Sequence, residues 1–181
     1  MKSASRLYFA RFASPLGELG LYATDKALVA LTWPRDTAEP GRVRLFSEPE
    51  NVDNPVGHPL LATAARELAE YFSGGRRSFD LPLSPRGTEF QLAVWAALRA
   101  IPYGATTSYG ELASRLGRPT AARAVGAAVG KNPISIIVPC HRVLGAKGEL
   151  TGFAGGIEAK RYLLELEARK PVAAGAQVSY K

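Results

Sequence analysis

The N-terminal third of the chain carries short apolar runs that turn-forming residues interrupt. Residues 7–12, 19–23 and 27–31 are rich in apolar and β-favouring side chains, and turn sequences lie between them at 14–17 and 24–26. Runs of this length, bounded by Ser, Pro, Gly and Asp, are typical of strands joined by tight turns. The pattern predicts a small antiparallel sheet.

A helix is predicted to follow the sheet after a polar interval. Residues 34–57 are rich in Pro, Glu, Arg and Asn without a clear period, which indicates a long surface loop. From Pro59 to Phe72 the apolar residues recur at helical spacing, and Gly74 with Gly75 supplies a helix end. We expect this helix to cover one face of the sheet.

The sequence changes character at residues 84–87 (SPRG), where turn chemistry coincides with a change in charge balance. Residues 1–85 carry 10 Lys/Arg and 10 Asp/Glu, whereas residues 86–181 carry 13 and 6, so the whole net charge of +7 lies in the second half. This excess favours a polyanionic partner, although a basic surface in contact with solvent alone is the simpler alternative. We predict an N-terminal α/β domain over 1–85, a C-terminal domain over 86–170 and a tail over 171–181.

Two capping boxes are predicted to open helices in the second half. Thr88 is followed three residues later by Gln91, and Ser108 by Glu111. At this spacing each side chain can bond a backbone N–H group that the first helical turn leaves free. The first helix is expected to end at the Ile-Pro-Tyr-Gly sequence over 101–104, and the second is short.

A third helix is predicted to begin after the break at 117–119, with Thr120 as its N-cap, and to run to about Val129. With the short helix from Ser108 to about Leu116 it has the outline of a helix-turn-helix. Such pairs also serve as plain packing units, so the outline alone leaves DNA binding open. The predicted fold class is α+β: a small antiparallel sheet with a helix, then a mostly helical domain that contains the helix pair.

The second helix of the pair, AARAVGAAVGKN, has few side chains that could read bases. A sequence-reading helix directs Arg, Gln, Asn or Lys at base edges, whereas here Arg123 stands among small residues until Lys131. Small side chains let a helix approach a groove closely, and one long Arg could fill the gap left by an extruded nucleotide. This composition suits binding to DNA of any sequence, and tight helix packing with one solvated charge is an equal alternative at this point.

The content of Cys and His limits the possible sites. One cysteine cannot form an internal disulfide, and Cys140 with His58 and His141 is too small a set for a closed zinc site, so no metal is implied. No apolar run is long enough to cross a bilayer, and the N-terminus lacks the extended apolar segment of a signal peptide. We expect a cytoplasmic protein without a membrane partner.

The single cysteine follows a short apolar run. The β-branched residues over 134–138 predict a buried strand that stops at Pro139. Because neighbouring side chains in a strand point to opposite faces, His141 can assist Cys140 only if the chain leaves the strand there. His141 and Arg142 can both favour the thiolate, which is the nucleophilic form. Since a lone cysteine is usually an inert buried residue, its wider setting decides.

Six motifs surround this cysteine at regular spacing. They are, in chain order, Ser108-Tyr109, AARAVG, Asn132-Pro133, IIVPCHRV, TGFAGG and KRYLLELE. In type and spacing they resemble the O6-alkylguanine-DNA alkyltransferases over about residues 88–168, and the N-terminal part resembles that family more weakly. The resemblance implies a ribonuclease H-like N-terminal domain and a winged-helix-like C-terminal domain.

The resemblance implies a role for each catalytic residue. Cys140 would accept the alkyl group, and His141, hydrogen-bonded to Glu167, would withdraw the thiol proton through a water. Tyr109 would donate to the flipped guanine or its phosphate and help protonate the departing base, a role that suits a phenol. The implied function is repair of O6-alkylguanine, and less efficiently O4-alkylthymine, flipped out of duplex DNA.

The resemblance also implies the partner and the pocket. Double-stranded DNA would be bound in the minor groove, largely independently of sequence, by a protein that is monomeric off DNA, with Arg123 replacing the flipped nucleotide. The residues implied in DNA binding are Arg123, Tyr109, Ser108, Thr120, Ala122 and Lys131. Those implied in the substrate pocket are Asn132, Val143, Phe153, Ala154 and Gly155, with Phe153 stacking on the base.

Departures from the family pattern and two rival functions stay open. Phe153 stands where some relatives have Tyr, Ser135 replaces a Pro at the pocket lip, and the zinc ligands of some relatives are absent, so the size of the accepted alkyl group is undetermined. The rivals are a helix-turn-helix regulator without transferase activity and a Cys-His hydrolase. A hydrolase forms a thioester that water attacks, whereas a thioether on Cys140 has no such route and would persist. No cofactor is implied, because the thiolate supplies the electrons.

Overall fold

A computed structural model of the chain describes residues 6–38, 50–51 and 57–169. The surface loop predicted over 34–57 is therefore described only in part, and the predicted tail over 171–181 lies outside the described residues. Within these ranges the chain has the predicted α+β composition: a small sheet with one helix comes first, and a mostly helical half follows.

The N-terminal half forms the predicted sheet. Strands β1 (Tyr8–Ser14), β2 (Gly17–Ala23) and β3 (Leu28–Thr32) pair in antiparallel order. The two-residue strand β4 (Glu50–Asn51) pairs in parallel with β1, so the strand order is β3-β2-β1-β4. Every residue of β3 is buried, which places the end of this strand inside the molecule.

Helix α1 (Pro59–Phe72) has the predicted bounds and packs against β1 and β2. A proline suits the first helical turn because its missing N–H group would have no partner there. Leu68 and Tyr71 lie on the buried face at helical spacing. The helix stops before Gly74, whose φ of +80° is a conformation that glycine adopts without strain.

The C-terminal half is mostly helical, as predicted. Its helices pack against one another, and their buried residues share one apolar core with the sheet. The elements described in this half are α2 (Glu89–Arg99), β5 (Thr107–Ser108), α3 (Tyr109–Arg115), α4 (Ala122–Gly130), β6 (Val143–Leu144) and α5 (Ile157–Ala168).

Both predicted capping boxes form. Thr88 Oγ1 accepts the N–H of Gln91 at 3.2 Å, and Gln91 Oε1 accepts the N–H of Thr88 at 2.9 Å. Ser108 and Glu111 make the same exchange at 3.1 and 2.8 Å. Because these bonds depend on residues three positions apart, local sequence was enough to predict where α2 and α3 begin.

The prediction that Thr120 caps α4 is wrong. The N-cap is Ala121, which makes no side-chain cap bond, and the helix begins one residue later than expected. The N–H of Ala121 bonds the carbonyl of Arg118 at 2.9 Å, and this turn carries the chain past Thr120 before the helix starts. The Thr120 hydroxyl is left exposed on the surface next to α4.

The predicted strand over 134–138 is also wrong, because this segment folds into a buried tight turn. Only its start pairs with the sheet, through a bridge between Leu31 and Ile134. The N–H of Val138 then returns to the carbonyl of Ile134 at 2.9 Å, and Ile136 has a φ of +72°, which is rare for a β-branched residue. The apolar run reflects burial on all sides rather than a strand.

One apolar core runs through both halves of the molecule. It connects Leu31 and Trp33 at the end of β3 with Val94 of α2, Cys140 and Leu163 of α5. The predicted helix-turn-helix pair, α3 and α4, packs on this core next to α2. Among the residues that the structure describes, no helix has the length and apolar character needed to cross a membrane.

Replacing Leu98 with alanine should destabilise the protein by about 2–5 kcal/mol, because a fully buried leucine leaves a cavity in the core. Leu92→Ala on the same helix is the matched control, since Leu92 is 40% exposed and should cost less than about 1 kcal/mol. Chemical denaturation of the two variants measures the difference. Equal losses would contradict the assigned buried face of α2.

Candidate active site

A tight turn over residues 134–138 leads to Cys140, and the buried Asn132 side chain stabilises this turn through two hydrogen bonds. The Asn132 side-chain amide donates to the carbonyl of Val138 at 2.8 Å, and its oxygen accepts the N–H of Ile134 at 3.0 Å. Asn132 is itself buried, directly after α4. The side chain therefore ties the end of the helix pair to the backbone that carries Cys140.

Cys140 begins a 3-10 turn over Cys140–Arg142, after Pro139. The chain therefore leaves the extended conformation here, so the opposite-face geometry of a continuous strand does not separate Cys140 from His141. The thiol is only 4% exposed, and burial raises its pKa. Hydrogen bonds from the Asn132 and Ser135 side chains and the positive charge of Lys160 oppose that rise. The resting form is therefore a protected thiol that needs a base.

His141 follows Cys140 in the chain and is completely buried. Its Nε2 lies 2.7 Å from Glu167 Oε1, whereas its Nδ1 has no hydrogen-bond partner within the described part of the chain. Burial lowers the pKa of His141, and the hydrogen bond and charge of Glu167 act in the opposite direction. The imidazole is thus neutral at rest and can become charged next to a carboxylate.

Glu167, on the last turn of α5, accepts hydrogen bonds from four residues, one of which is His141. Arg142 donates through Nε to Oε2 at 2.8 Å and through its second Nη to Oε1 at 2.9 Å. The Tyr71 hydroxyl donates to Oε1 at 2.7 Å, and the N–H of Gly104 donates to Oε2 at 3.1 Å. Burial works to raise the pKa of Glu167, but the hydrogen bonds from His141 and Arg142 outweigh it and hold that pKa far below its usual range.

This arrangement decides which nitrogen of His141 carries the proton. Because Glu167 stays a carboxylate, it can only accept hydrogen bonds, so Nε2 of the neutral imidazole must be the donor. The lone pair then lies on Nδ1. An imidazole in this tautomer can accept a proton at Nδ1 and share the resulting charge with Glu167.

Lys160 is a buried cation beside the site that sequence reasoning missed. It is 1% exposed, and its Nζ donates to the carbonyl of Val143 at 2.6 Å and to that of Thr151 at 3.3 Å. Burial lowers its pKa, and the interaction with Cys140 raises it. The carbonyl of Val143, a predicted pocket residue, therefore already accepts a hydrogen bond from this cation.

A cavity of about 1100 Å³ opens next to these groups. It brings together residues predicted separately for DNA binding and for the pocket: Tyr109, Ala122, Arg123, Phe153 and Ala154. Its walls come from the helix pair on one side and from the TGFAGG loop on the other. Cys140 itself is buried and does not line the cavity.

Tyr109 and the DNA-binding candidates lie on the helix-pair side. The Tyr109 hydroxyl is hydrogen-bonded to Thr151 Oγ1 at 2.7 Å, and its ring packs over Gly126 of α4. The Ser108 hydroxyl is used in capping α3. Arg123, Thr120 and Lys131 are exposed and Ala122 is half-buried; Ala122 and Arg123 line the cavity, whereas Thr120 and Lys131 do not.

The TGFAGG loop is supported from the N-terminal half by Trp33. The Trp33 ring meets Phe153 edge-on at 5.4 Å between centroids, and Phe153 in turn meets His141 edge-on at 6.5 Å. Trp33 also covers Gly155, where an added Cβ would lie 2.8 Å from the indole. Only glycine fits under this ring, so the β3 end sets the position of the pocket wall.

No group of three or more Cys, His, Asp or Glu side chains in the described ranges could hold a metal ion. The site contains a thiol, an imidazole, a carboxylate and a phenol. This set suits nucleophilic attack by sulfur with acid–base assistance.

The fold and the site define a class: a helix pair with an exposed arginine, together with a buried cysteine that precedes a histidine–carboxylate pair, is the combination expected of a DNA-binding cysteine transferase. The model for "6-O-methylguanine DNA methyltransferase, DNA binding domain" matches residues 89–169. The model for "6-O-methylguanine DNA methyltransferase, ribonuclease-like domain" matches residues 7–85. The chain belongs to the 6-O-methylguanine DNA methyltransferase family.

Individual relatives agree with this assignment. The methylated-DNA--protein-cysteine methyltransferase of Methanosarcina acetivorans is 45% identical over 161 residues, covering 89% of this chain and 98% of the relative. That of Mycolicibacterium paratuberculosis is 48% identical over 156 residues, covering 86% and 89%. These relatives confirm the predicted family and enzyme class.

Solved structures agree as well. The crystal structure of Mycobacterium tuberculosis O6-methylguanine methyltransferase matches with a TM-score of 0.81 at 47% identity, covering 92% of this chain and 96% of that one. A structure of Mycobacterium tuberculosis OGT in complex with DNA matches with a TM-score of 0.79 at 45% identity, covering 89% and 92%. The predicted fold class is confirmed.

Sequence reasoning named the cysteine, its base and the carboxylate, but not three of their neighbours. Lys160 lies three and seven residues before the buried Leu163 and Glu167, and this helical spacing was a usable signal. Tyr71 and Trp33 carried no such signal, because each reaches the site from the N-terminal half. Only the packing of the two halves brings them there.

Replacing Glu167 with glutamine should cost about 3–5 kcal/mol of stability near neutral pH, because buried Arg142 loses its carboxylate. The folded-state pKa of Glu167 is lowered, so its contribution is fully present above the ordinary glutamate range and is lost as the pH falls through the folded value. The difference between wild type and variant should shrink below about pH 4. Denaturant titrations at several pH values measure it.

Glu165→Gln on the same helix is the matched control, since Glu165 is exposed and should change stability by less than about 0.5 kcal/mol. A Glu167→Gln variant as stable as this control would show that the carboxylate is not the centre of a buried ionic network.

Proposed function

We propose that this protein repairs DNA by transferring the alkyl group of O6-alkylguanine to Sγ of Cys140. The observation that carries the proposal is the buried His141–Glu167 pair directly after the buried Cys140 in the chain. Phe153, whose ring meets that of His141, lines the cavity together with Arg123. A nucleophile with a positioned base, beside a DNA-facing opening, is what an alkyl transfer from a base requires. The family membership agrees with this chemistry.

The first step generates the thiolate. His141 withdraws the Cys140 proton at Nδ1 through a water, and Glu167 shares the charge that develops on the imidazole. The tautomer argued above and the partner-free Nδ1 support this role for His141. The positive charge of Lys160, which opposes the raised pKa of the thiol, stabilises the same thiolate.

The second step is displacement at the alkyl carbon. The thiolate electron pair forms the new S–C bond, the C–O6 bond breaks, and its electrons stay on guanine. Tyr109 donates a proton to the departing base and recovers one from solvent, while the imidazolium of His141 returns its proton to solvent. The products are intact guanine and a thioether on Cys140.

The reaction is stoichiometric. A thioether has no carbonyl for water to attack, so the alkylated cysteine persists and each molecule acts once. This separates the proposal from a Cys-His hydrolase, whose thioester would turn over. No separate cofactor is needed for the displacement.

Double-stranded DNA is the proposed partner, bound in the minor groove and largely without regard to sequence, by a protein that is monomeric off DNA. The small residues of α4 support close approach to a groove, and the exposed Arg123 supports its role in the gap left by a flipped base. Ser108, Tyr109, Thr120, Ala122 and Lys131 are proposed to contact the DNA. The complex of the M. tuberculosis relative with DNA supports the partner.

The flipped base is proposed to enter the cavity against Phe153. Its ring can stack on the base, and backbone N–H groups of Ala154 and Gly155 can meet the guanine oxygen. Asn132 holds the turn that carries Cys140, and the backbone carbonyl of Val143 can accept from the exocyclic amine. The glycine forced at 155 by Trp33 supports a close approach of backbone to substrate.

Further assignments extend the proposal. We propose weaker activity on O4-alkylthymine, action in the cytoplasm, and a division into domains over 1–85 and 86–170 with a tail over 171–181. The gap between the two matched family models, at 85–89, supports the domain boundary.

Mixing the protein with one equivalent of duplex containing O6-methylguanine should add a single methyl group to Cys140 and to no other residue. Cys140 carries the single thiol of the chain, and His141 is proposed to act as its base. Intact mass spectrometry followed by peptide mapping measures it. Cys140→Ser should gain no methyl, and undamaged duplex should modify neither protein. A methyl group on another residue, or repair by the serine variant, would exclude the mechanism.

Arg123→Ala should slow repair of duplex DNA by about tenfold or more, because the extruded state loses a side chain that offsets unstacking of a few kcal/mol. Reaction with free O6-benzylguanine base should change less than about twofold, since no extrusion is needed. Arg99→Ala, an exposed arginine away from the cavity, is the control. Equal slowing on both substrates would argue against a role in base flipping.

A further inference from the structure

The N-terminal half contributes a buried phenol to the catalytic centre. Tyr71, on the last turn of α1, is 0% exposed, and its hydroxyl donates to Glu167 Oε1 at 2.7 Å. The two residues are 96 positions apart in the chain. None of the catalytic roles above uses this hydrogen bond.

The Tyr71 ring is held on several sides by other rings. Its centroid lies 5.5 Å from that of Phe72, 5.5 Å from that of Phe79 and 6.1 Å from that of Tyr103. Burial, followed by the charge of Glu167, raises the pKa of Tyr71, so the hydroxyl stays protonated. It is therefore a permanent donor in a fixed position.

The oxygen that Tyr71 contacts is the one that faces the imidazole. Oε1 of Glu167 lies 2.7 Å from His141 Nε2, 2.7 Å from the Tyr71 hydroxyl and 2.9 Å from an Arg142 nitrogen. Three donors share one carboxylate oxygen, and each takes part of its negative charge. The more charge the phenol takes, the less is available to stabilise a protonated imidazole.

The other carboxylate oxygen is occupied as well. Oε2 accepts from Arg142 Nε and from the N–H of Gly104, so Glu167 cannot rotate to offer His141 a less crowded oxygen. The competition at Oε1 is thus built into the packing of α1 against α5 and the 3-10 turn.

We infer that Tyr71 is a positioning residue for the alkyl transfer: through Glu167 Oε1 it keeps His141 neutral and ready to accept a proton. This inference rests on the proposed role of His141 as the base. It assigns the N-terminal half a direct part in setting the pH range of the reaction.

Tyr71→Phe keeps the ring and removes only the hydroxyl. With more charge left on Oε1, His141 becomes more basic, so the acid limb of the pH–rate profile should move up by about half to one pH unit. At pH values below the limb the variant should react about three- to tenfold more slowly than wild type, and above it the rates should converge. The rate is measured with free O6-benzylguanine, so that DNA binding does not enter.

Tyr103→Phe is the matched control. Tyr103 belongs to the same ring cluster, but its hydroxyl reaches only the carbonyl of Leu166, at 3.4 Å. Its profile should coincide with that of wild type. A Tyr71→Phe profile with an unmoved acid limb, or one slowed equally at every pH, would overturn the inference, because a merely structural residue would act in that way.

Ring-nitrogen NMR gives a second readout that needs no catalysis. The chain has two histidines, so His58→Gln leaves the His141 signals alone. Wild type should show the tautomer protonated at Nε2 and titrate at lower pH than Tyr71→Phe. Coincident titrations would overturn the inference even if the variant is too unstable to assay. If wild type transfers no alkyl group to Cys140, the proposed function fails instead, and the two failures are distinguishable.

Discussion

The buried carboxylate of Glu167 is the interaction on which the site depends. Taking a charge out of water costs several kcal/mol, and unpaired it would be protonated. Here Arg142, Tyr71, His141 and a backbone N–H surround it, so it stays ionised. An ionised Glu167 can only accept hydrogen bonds, which fixes the tautomer of His141. The tautomer of His141 therefore depends on the hydrogen bonds that keep Glu167 ionised, not on His141 alone.

Cys140 must meet two opposed chemical requirements. A residue that reacts only once must be protected from solvent and oxidants, and burial achieves this by raising the thiol pKa. It must also become a thiolate when substrate arrives, and the neutral His141 with the buried Lys160 allows that. Burial and base therefore act together: one keeps the thiol unreactive at rest, and the other makes it available beside the cavity.

The two halves of the molecule share this site. Trp33 at the end of β3 fixes the loop that carries Phe153, and Tyr71 of α1 reaches the catalytic carboxylate. The helix pair supplies one wall of the cavity. The N-terminal half thus contributes contacts both to the loop and to the carboxylate of the site.

Local sequence determined the starts of α2 and α3 and the bounds of α1, because caps and helical spacing depend on near neighbours. The candidate set Cys140, His141 and Glu167 came from the motifs that resemble the family. Local sequence gave a wrong prediction where long-range packing decides the structure. Residues 134–138 form a turn rather than a strand because they are enclosed by β3, α4 and the 3-10 turn over Cys140–Arg142. The partners Tyr71 and Trp33 were invisible for the same reason. Which residue completes a buried charge or supports a loop depends on contacts across the chain, and only the tertiary structure provides them.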